Sequence, residues 1–263
     1  MLRRRHTSYR SSRPDEEVQG VREACVVAAT VLDKLCKMVA SGVCTYDIDL
    51  AGKKLIADMG AQSACYNYQA ENKIYPAHTC LSVNDEVVHG IGKLDVVLKE
   101  GDNITVDVCV KYKGFVGDNA RTLVIGEASE EMKLLVDRTR EALDLGIAQA
   151  RAGNRVGDIS HAVQSFVEGH GYSVVRNFVG HGVGRSMHED PQIPNFGRKK
   201  SGAKLYPGMT LAIEPMVLAG RHEIDIDDDQ WTARTRDRKP AAHFEHIVLV
   251  TEDEPEILTI PEK

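Results

Sequence analysis

The sequence repeats one pattern at a fixed offset of 111 residues, and this repeat limits the folds that the chain can adopt. Gly42 aligns with Gly153 and Gly60 with Gly171, and each of these glycines follows a segment with helical spacing of apolar residues. Glycines that end helices are common, and they alone would produce part of this agreement. One offset that holds through two consecutive helices favours a duplicated helix-helix-strand unit.

Hydrophobic spacing predicts the same order of elements in both halves. The expected helices are 15–41 and 47–59, then one that Ser129 caps and Gly153 ends, and finally 158–168. Strand-like segments lie at 61–68, 80–89, 104–112 and 115–124, then at 172–179, 209–218 and 243–251. We therefore expect two related α+β halves, at about 15–125 and 129–251, that meet at one sheet. A site between such halves would draw its ligands from both.

Composition and charge exclude some classes of protein. The 263 residues, with 42% hydrophobic and 27% charged residues, are typical of a soluble globular protein. A net charge of −6 argues against nucleic-acid binding by the whole molecule, and no apolar run approaches the roughly 18 residues of a membrane span. The start MLRRRHTSYRSSRP is basic but lacks the apolar stretch of a secretory signal, so residues 1–13 are predicted to form a flexible tail. Contact of this tail with RNA or a ribosome surface is the alternative.

The cysteines indicate a reducing compartment. None of the six forms a CxxC pair or a zinc-finger spacing, and several lie in apolar stretches, where a free thiol behaves as a small hydrophobe. They are Cys25, Cys36, Cys44, Cys65, Cys80 and Cys109. Reduced thiols in a cytosolic protein agree best with this distribution.

Acidic residues interrupt apolar strands in the first half. In NITVDVCVKY the even-numbered positions from Ile104 to Val110 form one apolar face, and Asp107 lies on the opposite face. Asp is depleted in strands, and burial of its charge is unfavourable unless the charge is paired or bound to a metal. Asp118 follows at the start of the next strand, in FVGDNARTLV. A hairpin would bring the two acids together across adjacent strands.

The second half repeats this feature. TLAIEPMVL places Glu214 among apolar neighbours before Pro215, and AAHFEHIVLV places Glu245 on the face of Ile247 and Leu249. Any one of these acids alone is most often a turn residue or half of a salt bridge. A lone buried acid would be protonated or would destabilise the fold, so four of them in strands argue for a shared cation.

A glycine-rich segment supplies imidazole groups. GHGVGRSMHED carries His181 between Gly180 and Gly182, and His188 seven positions later. The glycines are expected to let the backbone turn tightly around His181. A lone histidine is more often structural, but two histidines on one glycine-rich loop favour a metal or catalytic role.

These motifs together resemble a known family. The order and spacing of NDEVVHGI, DVCVKYKGFVGD, GHGVGRSMHEDP, LAIEPM and HFEHIVLVTE are similar to those of type I methionine aminopeptidases, from about Pro14 to the C-terminus. The resemblance implies the pita-bread fold, an α+β fold of pseudo-twofold duplicated halves with a central antiparallel sheet covered by helices. It also implies one catalytic domain at 14–263 that removes N-terminal methionine when the second residue is small.

The resemblance implies two divalent metal ions. Their ligands would be Asp107, Asp118, His181, Glu214 and Glu245. Asp118 and Glu245 would bridge the ions, Asp107 would chelate one ion, and His181 and Glu214 would bind the other. The two ions would activate one water and polarise the substrate carbonyl. An oxygen-rich donor set of this kind accepts Co, Mn, Fe or Zn.

The same resemblance implies roles for further residues. Glu214 would shuttle the proton of the water, His188 would hold the scissile carbonyl or its oxyanion, and His89 would contact the scissile amide nitrogen. His89 alone would be an ordinary histidine at a strand end. The methionine pocket would consist of Cys65, Tyr68, Tyr75, Cys80, Met187 and Trp231. Apolar, aromatic and sulfur groups suit a thioether side chain.

The chain departs from the family pattern around this pocket. Met187 stands where an aromatic residue is usual, Asn119 and Ala120 replace hydroxyl residues, and Cys109 replaces a common Thr. The segment YNYQAENKIYPAHTC, which spans 66–80, is longer than its counterpart. All five implied ligands are present, so the departures concern pocket shape and the tuning of the metal site.

Two other functions remain open. A proline-directed peptidase of the same fold usually carries a preceding N-terminal domain, and Asp107 comes too early to leave room for one. A non-catalytic binding protein would be marked by lost ligands. For the aminopeptidase we expect a cytoplasmic monomer that acts on the N-terminal methionine of nascent polypeptides. The ribosome surface is a further candidate partner, and neither a membrane nor a specific nucleic acid is expected.

Overall fold

The computed structural model describes residues 13–70 and 72–261, and these contain four helices and seventeen strands. The helices are α1 (Asp15–Cys36), α2 (Thr45–Asp58), α3 (Glu130–Ile147) and α4 (Val156–Gly169). The strands of the first half are β1 (Gln62–Ser63), β2 (Gln69–Ala70), β3 (Lys73–Ile74), β4 (Cys80–Val83), β5 (Glu86–Val88), β6 (Asn103–Tyr112) and β7 (Phe115–Val124). Those of the second half are β8 (Ser173–Val174), β9 (Val179–Gly182), β10 (Glu189–Pro194), β11 (Thr210–Ile213), β12 (Met216–Leu218), β13 (Ile224–Ile226), β14 (Ala233–Thr235), β15 (Ala241–His243), β16 (His246–Leu249) and β17 (Glu256–Ile257).

The N-terminal tail was predicted at residues 1–13. Residues 1–12 lie outside the described residues, so for them the flexible tail stays a prediction. Arg13 is described, and its guanidinium donates to Thr210 Oγ1 and to Val183 O, each at 2.8 Å. Arg13 therefore belongs to the folded part of the chain. Among the described residues, no helix is both long and apolar enough to cross a membrane.

The helical part of the fold repeats at the offset of 111. The bounds of α2, shifted by 111 positions, are those of α4, and β1 shifts onto β8 in the same way. Gly42 and Gly153 have nearly equal φ angles of +88° and +89°, in the left-handed region that favours glycine. Their N–H groups donate to Leu98 O and Leu205 O. The same helix-turn-helix unit is thus built twice.

The first helix of each half is shorter than the sequence predicted. The predicted helix 15–41 ends at Cys36, because Met38 N–H and Val39 N–H donate three residues back and convert the helix into turns. The helix predicted to end at Gly153 ends at Ile147 for the same reason. Ser129 caps that helix as expected, since its hydroxyl accepts from Met132 N–H at 3.2 Å.

Two antiparallel sheets form the centre of the fold. β6 and β7 pair along all ten residues, and β4 and β1 pair with β6. The second half contributes the order β10-β9-β11-β16-β17. The two sheets meet at Ala120 and Glu245, whose backbones exchange hydrogen bonds of 3.0 and 3.4 Å. Smaller sheets have the orders β15-β12-β8, β13-β14-β5 and β2-β3.

Five predicted strands are interrupted or shortened. The segment 209–218 breaks between β11 and β12 at Glu214 and Pro215, and 243–251 lies in β15 and β16 with a break at Phe244. Proline has no N–H to continue the ladder, and its carbonyl instead accepts from Phe244 N–H at 3.4 Å. The segment 61–68 pairs only in β1, because Tyr66 N–H turns back to Ser63 Oγ. The segments 80–89 and 172–179 are likewise split into two short strands.

Each half packs its helices on its own sheet. The predicted apolar face from Ile104 to Val110 is buried beneath Val27, Val31 and Leu35 of α1. At Gly117 a side chain is excluded, because a Cβ there would lie 2.2 Å from Ala24 O of α1. The second half has an equivalent core between α3, α4 and the strands β11 and β16. The sheets are therefore held against the helices on one side, which leaves their other side for a cavity.

Candidate metal centre and substrate cavity

One cavity of about 710 Å³ brings together every site residue that the sequence predicted. Its lining includes Cys65, Tyr68, Tyr75, Cys80, His89, Asp107, Asp118, His181, Met187, His188, Glu214, Trp231 and Glu245. The cavity lies at the junction of the two halves, next to the link between Ala120 and Glu245. Both halves contribute acids to it, as the repeat predicted.

Strand register places the acids of the first half. Asp107 on β6 is the partner of Ala120 on β7, and Ala120 in turn is bridged to Glu245. Asp118 lies two positions before Ala120 and pairs with Cys109. The thiols of Cys80 and Cys109 lower the pKa values of Asp107 and Asp118 respectively, against the larger upward effect of burial. The Cys109 departure thus places a thiol where it favours the ionised form of an acid of the site.

The second half adds Glu214 and His181 on strands that face this hairpin. Glu214 lies at the break between β11 and β12, and its Oε1 is 3.5 Å from His181 Nε2. Among the described residues, Asp118, His181 and Glu245 each place a ligand atom within 4.8 Å of the other two. This spacing fits a single bound cation. Asp107 and Glu214 lie beside this group of three.

Burial disfavours the charged form of all four acids. It raises the pKa of Asp107 to about 7. Burial and then the neighbouring carboxylates raise the pKa values of Asp118, Glu214 and Glu245 well above the usual range. Within the described part of the chain, Glu245 Oε1 has no hydrogen-bond partner. A cation at this point would let the acids ionise and would satisfy that oxygen, so the donor set fits a divalent metal.

His181 was predicted to lie on a tight glycine-rich turn, and this was wrong. It lies on β9, and the glycines on each side make room for neighbouring strands. A Cβ would lie 2.4 Å from Ala212 O at Gly180 and 2.3 Å from Asp190 O at Gly182. His181 Nδ1 is 3.0 Å from Gly182 O, and burial lowers its pKa to about 4. The neutral ring therefore carries its hydrogen on Nδ1 and offers Nε2 to the site.

His188 and His89 approach the same space from opposite sides. His188 Nδ1 is 2.8 Å from the Tyr68 hydroxyl, and its ring meets His181 edge-on with centroids 4.5 Å apart. His89 has a φ of +61°, a strained backbone for a non-glycine residue, which is common at functional sites. Its ring lies edge-on to Phe178 at 5.0 Å, and burial lowers its pKa to about 4. Both imidazoles are placed to meet a ligand beside the acids.

The pocket residues form an aromatic and sulfur-rich wall. The Tyr75 and Trp231 rings meet edge-on with centroids 5.2 Å apart. Tyr75 donates to Gly90 O at 2.8 Å and Trp231 Nε1 to Ile74 O at 3.1 Å, which leaves their apolar faces to the cavity. The thiols of Cys65 and Cys80 both line the cavity, and each shifts the pKa of the other. The segment 66–80 contains the hairpin β2–β3, from which Lys73 also lines the cavity.

Other lining residues were missed by the sequence analysis. They include Asn177, Phe178, Met216, Ile226 and His243. His243 had a usable signal, because it lies two positions before Glu245 and alternation places both side chains on one face. The others belong to short strands or loops and carry no distinctive pattern.

The fold and the site define a metal-dependent peptidase, and comparison with known proteins agrees. The profile of Metallopeptidase family M24 matches residues 19–252, and the chain belongs to this family. Within the family it groups with the methionine aminopeptidases. That of Clostridium acetobutylicum is 43% identical over 248 residues, which is 94% of this chain and 98% of that protein. Methionine aminopeptidase 1 of Bacillus subtilis is 42% identical, over 91% of this chain and 94% of that protein.

Solved structures give the same result. The methionine aminopeptidase of Thermotoga maritima superposes with a TM-score of 0.90 at 42% identity, and the match covers 94% of this chain and 98% of that one. The prolidase of Pyrococcus furiosus has a TM-score of 0.77 at 21% identity, which shows the shared fold alone. The match covers 97% of this chain but 66% of the prolidase. The predicted pita-bread fold with duplicated halves is therefore confirmed.

Proposed function

We propose that this chain removes the N-terminal methionine from nascent proteins and peptides by hydrolysis at two divalent metal ions. The observation that carries the proposal is the meeting, in one cavity, of a three-residue ligand group with an aromatic and sulfur-rich pocket. The metal site would provide the hydrolytic activity. The pocket would provide the preference for a thioether side chain. A small second residue is preferred, by analogy with the family.

The five proposed ligands are Asp107, Asp118, His181, Glu214 and Glu245. In this proposal Asp118 and Glu245 would contact both ions, Asp107 would hold one ion, and His181 and Glu214 would hold the other. The raised pKa values and the unpartnered oxygen of Glu245 among the described residues support this assignment. The oxygen-rich set accepts Co, Mn, Fe or Zn, and supply in the cell selects among them.

The metal ions, when bound, lower the pKa of a water and polarise the substrate carbonyl. Glu214 accepts the proton of the attacking water at a carboxylate oxygen and later releases it. The Tyr68 hydroxyl lies 2.8 Å from His188 Nδ1, and in this proposal it donates there, so that the ring hydrogen is on Nε2. His188 then donates from Nε2 to the oxyanion, and His89 contacts the scissile amide nitrogen.

The free thiols and the basic N-terminal residues bear on the proposed cellular compartment and partners of the enzyme. All six cysteines are free, and burial raises the pKa values of several of them, which suits a reducing cytoplasm. We propose that the enzyme works there as a monomer, with nascent chains as partners. The basic residues at 1–12 remain a candidate contact with the ribosome surface.

A peptide panel tests the proposal. The enzyme, freed of metal and reloaded with each divalent ion in turn, is given peptides with Met, Leu or Ala first and Ala, Gly, Leu or Pro second. We expect release of Met from Met-Ala and Met-Gly peptides and little cleavage of the others. Preferential cleavage before proline would support the proline-directed reading instead. If no peptide is cleaved by the metal-loaded protein, the non-catalytic reading gains.

A further inference from the structure

His243 is a buried imidazole that the proposed mechanism does not use. Its exposed fraction is 2%, and it lines the cavity beside Glu214. Within the described part of the chain, neither of its ring nitrogens has a hydrogen-bond partner. A buried polar group without a partner is rare in folded proteins and destabilises them. A residue that is retained in this state calls for a partner that forms during function.

The backbone of His243 is held on two sides. On β15 it pairs with Met216 of β12. On the other side, His243 N–H donates to Thr122 Oγ1 at 2.9 Å, and the same hydroxyl donates to His243 O at 2.8 Å. The backbone of His243 is therefore fixed, and because the ring lines the cavity, a partner can reach it from there.

Glu214 lies between two imidazoles. Its Oε1 is 3.5 Å from His181 Nε2, and its Oε2 is 3.9 Å from His243 Nε2. The backbone of Glu214 is held, since its carbonyl accepts from Asn195 Nδ2 at 3.1 Å. A shift of about 1 Å by the Glu214 side chain brings Oε2 to the usual N–H···O distance from His243. The two oxygens of this carboxylate thus face different partners.

We propose that His243 is a positioning residue for Glu214. Its Nε2–H donates to Glu214 Oε2 and fixes the carboxylate so that Oε1 faces the metal beside His181. Outer partners of this kind orient the ligands of metal sites and raise affinity for the ion. The inference rests on the proposed role of Glu214 and adds a residue that the family comparison did not suggest.

Two other roles of His243 make different predictions. As a direct metal ligand it would join the group of Asp118, His181 and Glu245, but its nitrogens are not among the atoms within 4.8 Å of one another. As a structural residue it would act through packing alone. Variants that differ in hydrogen bonding and reach separate these roles.

The experiment compares three variants with a matched control. His243→Gln keeps an N–H donor of similar reach, His243→Asn keeps a donor that is too short, and His243→Leu removes the donor. His246→Leu is the control, because His246 lies three positions on, outside the cavity lining, and bonds to Thr259 Oγ1 at 2.7 Å. Each full-length protein is titrated with Mn²⁺ by calorimetry and assayed for kcat and KM on a Met-Ala peptide. Its melting temperature is measured by thermal denaturation.

We expect His243→Leu and His243→Asn to weaken Mn²⁺ binding by about 10–100-fold, the usual effect of losing an outer partner of a ligand. In both, kcat should fall while KM stays within about twofold. His243→Gln should recover most of both losses. His246→Leu should lower the melting temperature and leave Mn²⁺ affinity and kcat near the wild-type values.

Three results would overturn the inference. One is a His243→Leu protein with unchanged Mn²⁺ affinity and kcat, which would leave packing as the only role. The second is a His243→Gln protein whose Mn²⁺ affinity and kcat fall as far as those of His243→Asn. The third is a His243→Gln protein that binds one equivalent of metal fewer than the wild type. If His243→Leu does not fold, the contrast between Gln and Asn decides. If the wild type cleaves no Met-Ala peptide but the affinity changes still appear, the proposed function fails and the role of His243 stands.

Discussion

The two walls of the cavity are built from different kinds of backbone. The metal wall carries Asp107, Asp118, His181, Glu214 and Glu245, which all lie in strands or at the breaks between strands. The pocket wall carries Cys65, Tyr68, Tyr75, Met187 and Trp231, which all lie in turns and loops, and only Cys80 lies in a strand. Strand ladders fix the first group, whereas local hydrogen bonds fix the second.

This difference indicates how each wall responds to change. On the metal wall, strand register positions each acid through several backbone hydrogen bonds. A substitution there removes a functional group but leaves the backbone structure in place. On the pocket wall, side chains such as Tyr75 and Trp231 also hold the loops through their own hydrogen bonds. We expect metal-wall substitutions to affect turnover and metal content, and pocket-wall substitutions to affect KM and the choice of substrate.

The largest effect is expected from Glu245→Ala on the metal wall. Loss of this proposed metal ligand would remove several kcal/mol of transition-state stabilisation, so activity should fall about a thousandfold or more. The fold should remain, because the removed carboxyl is one whose charge burial disfavours. Activity, metal content and circular dichroism check this, with the exposed Glu252→Ala as control. Turnover near the wild-type rate would mean that Glu245 is not a ligand.

His89→Ala tests the boundary between the two walls. A residue that contacts the scissile amide contributes about 10²–10⁴-fold to the rate, so kcat should fall by that order. Metal content should stay at the wild-type level, because His89 is not a proposed ligand. His170→Ala, an exposed histidine at the end of α4, is the control. Equal loss of turnover and of metal would assign His89 to the metal wall instead.

The acids of the metal wall also predict a pH effect on the metal-free protein. The pKa of Asp107 is raised to about 7, so the folded state binds more protons than the unfolded state from about pH 4 to pH 7. The stability contribution of Asp107 is therefore lost as pH rises through this window. Asp107→Asn should become more stable relative to the wild type between pH 4.5 and 7.5.

Buried histidines with lowered pKa values change stability with pH in the opposite sense. The quantity to compare is therefore the difference in the free energy of unfolding between Asp107→Asn and the wild type. Denaturant melts at a series of pH values, without metal, measure it. The stability of Trp231→Phe, a variant of the pocket wall, should change with pH in the same way as that of the wild type. A difference that does not change with pH would show that Asp107 is ionised without metal.

The smallest effect is expected on the pocket wall, at Met187. Met187→Ala should remove the apolar contacts proposed for the substrate side chain, and KM for a Met-Ala peptide should rise about tenfold. Met187→Phe keeps a large apolar side chain at this position and should keep KM within about threefold of the wild type. Metal content should match the wild type in both. A loss of metal in either variant would break the separation of the two walls.

The sequence predicted the metal wall better than the pocket wall, for a physical reason. An acid on a strand such as β6 is conspicuous, because its burial is unfavourable and its neighbours alternate strictly. His181 was assigned to a turn, since its flanking glycines carry no mark of the strands that approach them. The helix ends near Gly42 and Gly153 were placed too late, because the glycines follow the turns rather than the helices. His243 was missed, although it alternates with Glu245.

The pocket residues came from the family resemblance alone. Cys65, Tyr68 and Tyr75 lie in a segment whose turns depend on contacts such as Tyr66 N–H with Ser63 Oγ, and no periodic pattern reveals them. The hairpin β2–β3 in the segment 66–80, which brings Lys73 to the cavity, was not predicted from the sequence.

The most direct test of the account is metal reconstitution of wild type and Asp118→Asn side by side. Release of methionine from a Met-Ala peptide is followed as metal-free protein is titrated with Mn²⁺ under anaerobic conditions. The account predicts that wild-type activity rises from zero and saturates as both ions bind, while Asp118→Asn stays inactive at every ion concentration. Methionine release by the metal-free protein, or equal activity of the two proteins, would contradict it.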